Sequence, residues 1–170
     1  MASKSYQASE TSTTWTDSGG DKLLDLGGLA VSGGIAVGAY LDLGSSPRPN
    51  WYEVVLHIDG YEAAPAVGDL VELWFTQSNA VTGFDGQLTA DPTSSAEGTA
   101  TPDQAENTLF CRAVKAVSTT ATDELQGRCF IKLTGRYVAP IVVNWSLTRA
   151  LASSGDSHSI VLIPAPQEGQ

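Results

Sequence analysis

Between Trp51 and Gln77 the chain reads WYEVVLHIDGYEAAPAVGDLVELWFTQ, and large apolar residues fall on every second position. Tyr52, Val54, Leu56 and Ile58 alternate with Glu53, His57 and Asp59, and Val71, Leu73 and Phe75 alternate with Glu72 and Thr76. A period of two places successive side chains on opposite faces of an extended chain, a pattern that no helix satisfies. Gly60 ends the first run and Gly68-Asp69 turns the chain into the second. The stretch therefore predicts two long strands, each with one face in a core and the other in water.

The remaining apolar runs have to supply the partners of these strands. Leu23–Val31, broken by Gly27-Gly28, reads as a short bent edge strand, and Ile35, Val37, Ala39, Leu41 and Leu43 read as one continuous strand. Leu109, Cys111 and Ala113 share the inward face of the next strand, with Arg112 opposite. Cys129, Ile131 and Leu133 face inward on its hairpin partner. In Tyr137–Leu147 the residues Ile141, Val143 and Trp145 share a face that is read as the core face, with Pro140 at the start of the strand or on an edge. His158–Ile163 is the last strand. No stretch carries a convincing helical period. The fold class is all-β: a jelly-roll-like β-sandwich of about eight antiparallel strands whose core includes Val54, Leu56, Leu73, Phe75, Val143 and Trp145.

This organisation gives one domain over residues 22–164, preceded by an extended polar arm, 1–21, and followed by a tail, 165–170. Residues 78–107 form a long loop insertion, rich in small and polar residues, with Phe84 expected to tuck back. The arm holds too little apolar surface to fold alone, and its removal is expected to leave the domain's melting temperature nearly unchanged. Tyr6 and Trp15 are its candidate anchors on a partner, by strand addition to a sheet edge.

Nineteen acids against nine bases give a net charge of −10, which argues against a phosphate-binding surface and so against nucleic acid as a partner. No apolar run reaches membrane-spanning length, and the N-terminus MASKSYQASETS lacks the apolar segment of a secretory leader. Synthesis in a host cytoplasm is expected. If their strands pair as a hairpin, Cys111 and Cys129 are near neighbours in register; they are accordingly expected to remain thiols, with a disulfide as the alternative.

Sequence signatures of catalysis are missing: GxSxG, HExxH, a P-loop and CxxC do not occur, and the two histidines, His57 and His158, are far apart. Asp85, Asp91, Glu97, Asp103 and Glu106 in the long loop lack the spacing of a calcium loop. No catalytic residue, cofactor or metal ligand is assigned. Four tryptophans carry more information. Trp51 and Trp74 fall opposite the inward faces of their strands and are candidate partner-binding aromatics, together with Tyr6 and Trp15 of the arm. Exposed and coplanar, Trp51 and Trp74 would instead make a sugar-stacking platform, as in a carbohydrate-binding β-sandwich or adhesin.

The segments GGIAVGAYLDLG, PRPNWYEVVLHI, PAVGDLVELWFTQSN and VVNWSLTRALASSGDSHSIVLIP, in that order, resemble a family of small virion proteins of tailed phages, the head decoration and minor structural proteins. The resemblance covers residues 30–80 and 108–164 and leaves out the arm and the long loop. It implies a jelly-roll-like domain on the capsid exterior, without enzymatic activity, bound to the major capsid protein and stabilising the shell. By the same analogy the protein would form a homo-oligomer, a trimer at a lattice symmetry axis. A glycan partner is the alternative.

Overall fold

The computed structural model describes residues 11–17, 20–45, 49–80, 96–99, 108–153 and 158–165. These residues form strands and no helix: β1 (Thr13–Thr16), β2 (Lys22–Leu23), β3 (Gly34–Val37), β4 (Leu41–Asp42), β5 (Trp51–Ile58), β6 (Leu70–Ser78), β7 (Ala96–Thr99), β8 (Thr108–Lys115), β9 (Leu125–Lys132), β10 (Tyr137–Asn144) and β11 (Ser159–Pro164). Sheet A has the order β2-β1-β11-β5-β9, and sheet B the order β7-β3-β10-β6-β8, with β4 pairing β10 beyond the end of β3. Every pairing is antiparallel except β1 with β2.

Set aside the short strands β2, β4 and β7, and the pairing is nested. β1 pairs with β11 and β3 with β10, while β5 neighbours β9 and β6 neighbours β8. The chain thus runs as one long double ribbon folded into two four-stranded layers, and the all-β sandwich expected from the alternation is what forms. The connections β2–β3, β5–β6, β8–β9 and β10–β11 all emerge at the same end. β7 lies within the stretch read as an irregular loop and extends sheet B beside β3. Tyr6 and Phe84 lie outside the described residues.

The core between the layers contains Tyr52, Val54, Leu56 and Ile58 from β5, Val71, Leu73 and Phe75 from β6, and Val138 and Val142 from β10. The β5 and β6 residues are the inward positions that the period of two selected, whereas Val138 and Val142 lie on the face of β10 opposite the one it selected; all are almost fully buried. A second apolar cluster, Ile35, Val37, Ala139, Ile141 and Val143, lies on the outer face of sheet B, with Tyr40 and Trp74 against it. β10 is therefore buried along its whole length on both faces. Ile141, Val143 and Trp145 do share a face, but it is this outer one. Val143 is covered there, whereas Trp145, just past the strand, is 41% exposed and not in the core. Alternation separates two faces; when both are apolar it does not say which one points inward.

The arm is corrected in its last turns. Trp15 is completely buried in the sandwich's own core, its indole N–H donating to Ala39 O at 2.7 Å and its ring edge-on to Phe75 at 6.3 Å. β1 adds to a sheet edge as an extended arm would, but the edge is β11 of the same chain. The Trp15 bond to Ala39 also explains why residues 35–43 are not one strand: the chain leaves the ladder between β3 and β4, and Ala39 N–H donates to Leu23 O. Pro140 lies opposite that break, in the middle of a central strand and not at an edge. Its carbonyl accepts from Gly38 N–H, so its missing N–H falls on the side where the ladder is already interrupted.

Cys111 and Cys129 form a disulfide. They are not hairpin neighbours. β8 is an edge of sheet B and β9 an edge of sheet A, so the bridge joins the two layers, with Cα atoms 6.0 Å apart. A register shift at Leu73/Trp74 leaves Cys111 without an opposite residue on β6 and turns Val114, not Ala113, toward the core. Facing it, Gly127 leaves the room: a Cβ there would lie 2.6 Å from Val114 Cγ1 and 2.8 Å from Arg112 Cγ.

Candidate interaction surfaces

The three described aromatics among the four singled out in the sequence end in three different places. Trp15 is in the core and Tyr6 lies outside the described residues. Trp51 is on the outer face of sheet A, 38% exposed and opposite Lys132 on β9. Trp74 is on the outer face of sheet B, packed edge-on against Phe110 at 4.9 Å. The thickness of the sandwich separates Trp51 from Trp74, so they make no common platform.

Trp74 belongs to a different group. Its indole N–H donates to Glu72 Oε2 at 3.1 Å, and that of Trp145 donates to the same oxygen at 2.8 Å. A carboxylate that binds two indoles holds both rings in fixed orientation on the sheet B surface. The Trp145 ring also lies over Gly33, where a Cβ would sit 3.0 Å from Cζ3. Gly33 has φ +94° and Ser32 φ 59°, so the turn before β3 takes left-handed backbone to pass beneath the indole.

Trp145 leads to the loop end, where several large apolar side chains stand in solvent. Val31 and Trp145 are exposed, and Val67, Val117 and Leu147 are 67%, 74% and 77% exposed. They come from all four connections at this end, and hydrogen bonds chain them together. Ser32 N–H donates to Ser146 O, tying Val31 to the turn that carries Trp145 and Leu147. Gly68 N–H donates to Ala116 O, and Ala116 N–H to Asp69 O, setting Val67 beside Val117.

Asp69 joins the two halves. Its Oδ2 accepts from Ala66 N–H at 2.9 Å, Ser146 Oγ at 2.8 Å and Thr148 Oγ1 at 3.2 Å, and the backbone N–H of Leu147 also bonds to the carboxylate. Burial pushes its pKa up, but the bonds from Ser146, Ala66, Thr148 and Leu147 outweigh that and hold it below the usual carboxylate value. Asp69 is therefore an ionised group with little exposure that locks the turn bearing Val67 onto the turn bearing Leu147. Nearby, burial and then the charge of Asp69 push the Tyr61 phenol up to about 12. Sequence reasoning passed over this end because single apolar residues in turns carry no period. The signal available was repetition: Ala30-Val31-Ser32, Ala66-Val67-Gly68 and Ala116-Val117-Ser118 place an Ala-Val pair before a small residue in three of the four turns.

Chemistry elsewhere is sparse among the described residues. No group of three or more His, Cys, Asp or Glu side chains gathers as a metal site. His57 Nε2 meets Glu124 Oε2 at 3.1 Å on the surface of sheet A. A cleft of about 400 Å³ between β1, β4, β5 and β11 is bordered by Asp42, whose carboxylate is taken up by a two-point bond to Arg136. A cleft of about 440 Å³ follows the β8 and β9 edges, past Arg112, Lys115 and Glu124. No family model matches the chain. No curated protein matches it either.

Proposed function

We propose that the chain is a structural protein of a phage virion, a decoration or cement protein that binds the outside of the head shell and stabilises it. The observation that carries this reading is the nested strand order. We read this pairing of first with last and second with next-to-last, across two four-stranded layers, as jelly-roll-like, an architecture used by virus shell domains. A jelly-roll-like domain is also what the sequence resemblance implies, and the two together support the reading. The layers are joined by a disulfide and β10 is buried on both faces, which suits a protein whose task is mechanical. An acidic, well-solvated surface keeps many copies apart until they dock. Jelly rolls also serve as lectins, but the platform that reading required from Trp51 and Trp74 is divided between opposite faces. The partner under this proposal is the major capsid protein, with a trimer at a symmetry axis by analogy.

The test is to add the purified protein to head shells that lack it. Saturable binding at a fixed ratio to shell subunits, with a rise in the shells' melting temperature, is the expected result. Shells that ignore the protein, while a glycan array retains it, would replace this function with the adhesin.

A further inference from the structure

We propose that the loop end bearing Val31, Val67, Val117, Trp145 and Leu147 is the surface that docks on the shell, and that it receives an apolar patch rimmed by basic side chains. The inference rests on the virion reading for the identity of the partner. Its own basis is threefold.

The apolar side chains come from four separate connections, yet the backbone bonds Ser32–Ser146 and Gly68–Ala116 and the Asp69 carboxylate bind those connections into one body. A surface fixed in advance loses little conformational freedom on docking. These residues also make up five of the eight large hydrophobic side chains exposed among the described residues, so the end is where apolar surface concentrates.

Charge selects the occupant. The described residues of the four connections hold six acids, Asp25, Asp59, Glu62, Asp69, Asp123 and Glu124, and one base, Arg149. The whole chain has nineteen acids to nine bases, so this end is more acidic than the rest. A second copy of the chain would bring the same sign of charge to the interface, and like charges oppose that contact. A basic rim on the partner is the complement.

The experiment measures co-sedimentation with shells lacking the protein, for the wild type, the double variant Val67→Asp/Leu147→Asp, the charge variant Glu62→Lys and a control outside the four connections, Arg128→Ala on the outer face of sheet A. Both apolar positions are largely exposed, so folding should be kept, and a melting curve checks it. The double variant should bind at least 100-fold more weakly. Glu62→Lys, which leaves every apolar residue in place and tests the proposal even if the double variant misfolds, should bind about 10-fold more weakly at low salt, with the difference shrinking in 0.5 M NaCl. Arg128→Ala should match the wild type. If wild type and both variants bind alike, the docking end is wrong while the virion reading stands. Shells that ignore even the wild type overturn that reading and this inference with it. A wild type that forms dimers in solution, broken by Val67→Asp/Leu147→Asp, would make the end a contact between copies and overturn the basic partner.

Discussion

His158 Nδ1 accepts a hydrogen bond from Asp59 N–H at 3.1 Å, and Nε2 lies 2.9 Å from Ala152 O, to which it donates. Both ring nitrogens are used only if the imidazole is neutral. A second proton on Nδ1 would face the Asp59 N–H. Burial lowers the His158 pKa from 6.5, and the opposing pulls of the Ala152 bond and the Asp59 charge do not restore it. Since the folded pKa lies below the unfolded one, the unfolded chain takes up the proton first as pH falls. Stability from this residue is complete above pH 6.5 and declines below it, by at most about 1.4 kcal/mol per pH unit. Chemical denaturation between pH 7.5 and 5.5 should show that decline, and His158→Gln, which can also accept and donate, should flatten it. An unchanged slope in the variant would assign the decline to other groups. Asp69 acts in the same direction at lower pH: its folded pKa is depressed, so its contribution is present above 3.8 and lost as acid titrates it.

β1 shows what a strand adds beyond its length. It has four residues, but Trp15 makes it part of the core and interrupts the ribbon between β3 and β4. Trp15→Ala should cost about 3–5 kcal/mol, the range for a buried aromatic, and leave Ala39 O without its donor. Deleting residues 2–20 should therefore lower the melting temperature sharply, contrary to the expectation for a separable arm; a melt within about 2 °C of the intact chain would restore that arm. Polar composition hid this strand, because one tryptophan among Thr, Ser and Asp gives no period. Where alternation spans eight or nine residues with a single apolar face, as in β5 and β6, the pattern located the strands and their inward side. It failed for β10, apolar on both faces, and for β8, where a bulge moves the inward position from Ala113 to Val114. The loop end was illegible for a related reason: contacts such as Asp69 with Ser146 join residues 77 positions apart, and nothing local announces them.

Two layers of a sandwich part most easily along an edge where no strand crosses between them. The β8 and β9 edges form such a seam: they belong to different sheets, and a cleft of about 440 Å³ runs along them. Gly127 brings the backbones near, which leaves little side-chain volume on the β9 side of the seam. The Cys111–Cys129 bridge closes it covalently. The expectation of free thiols followed from cytoplasmic synthesis. A bond between the layers instead suits a protein that works where thiols are oxidised. With a separation of 18 residues, the bridge should stabilise the fold by about 3 kcal/mol through the restricted unfolded chain. Cys111→Ala/Cys129→Ala, or reduction of the intact protein, should remove that amount in urea denaturation. Hydrogen exchange locates the effect. The amides of β8 and β9 should exchange faster in the variant, while those of β10, buried on both faces at the centre of sheet B, should change only by the loss in global stability. A double variant with unaltered stability, or equal acceleration in β8, β9 and β10, would show that the seam holds without its bridge.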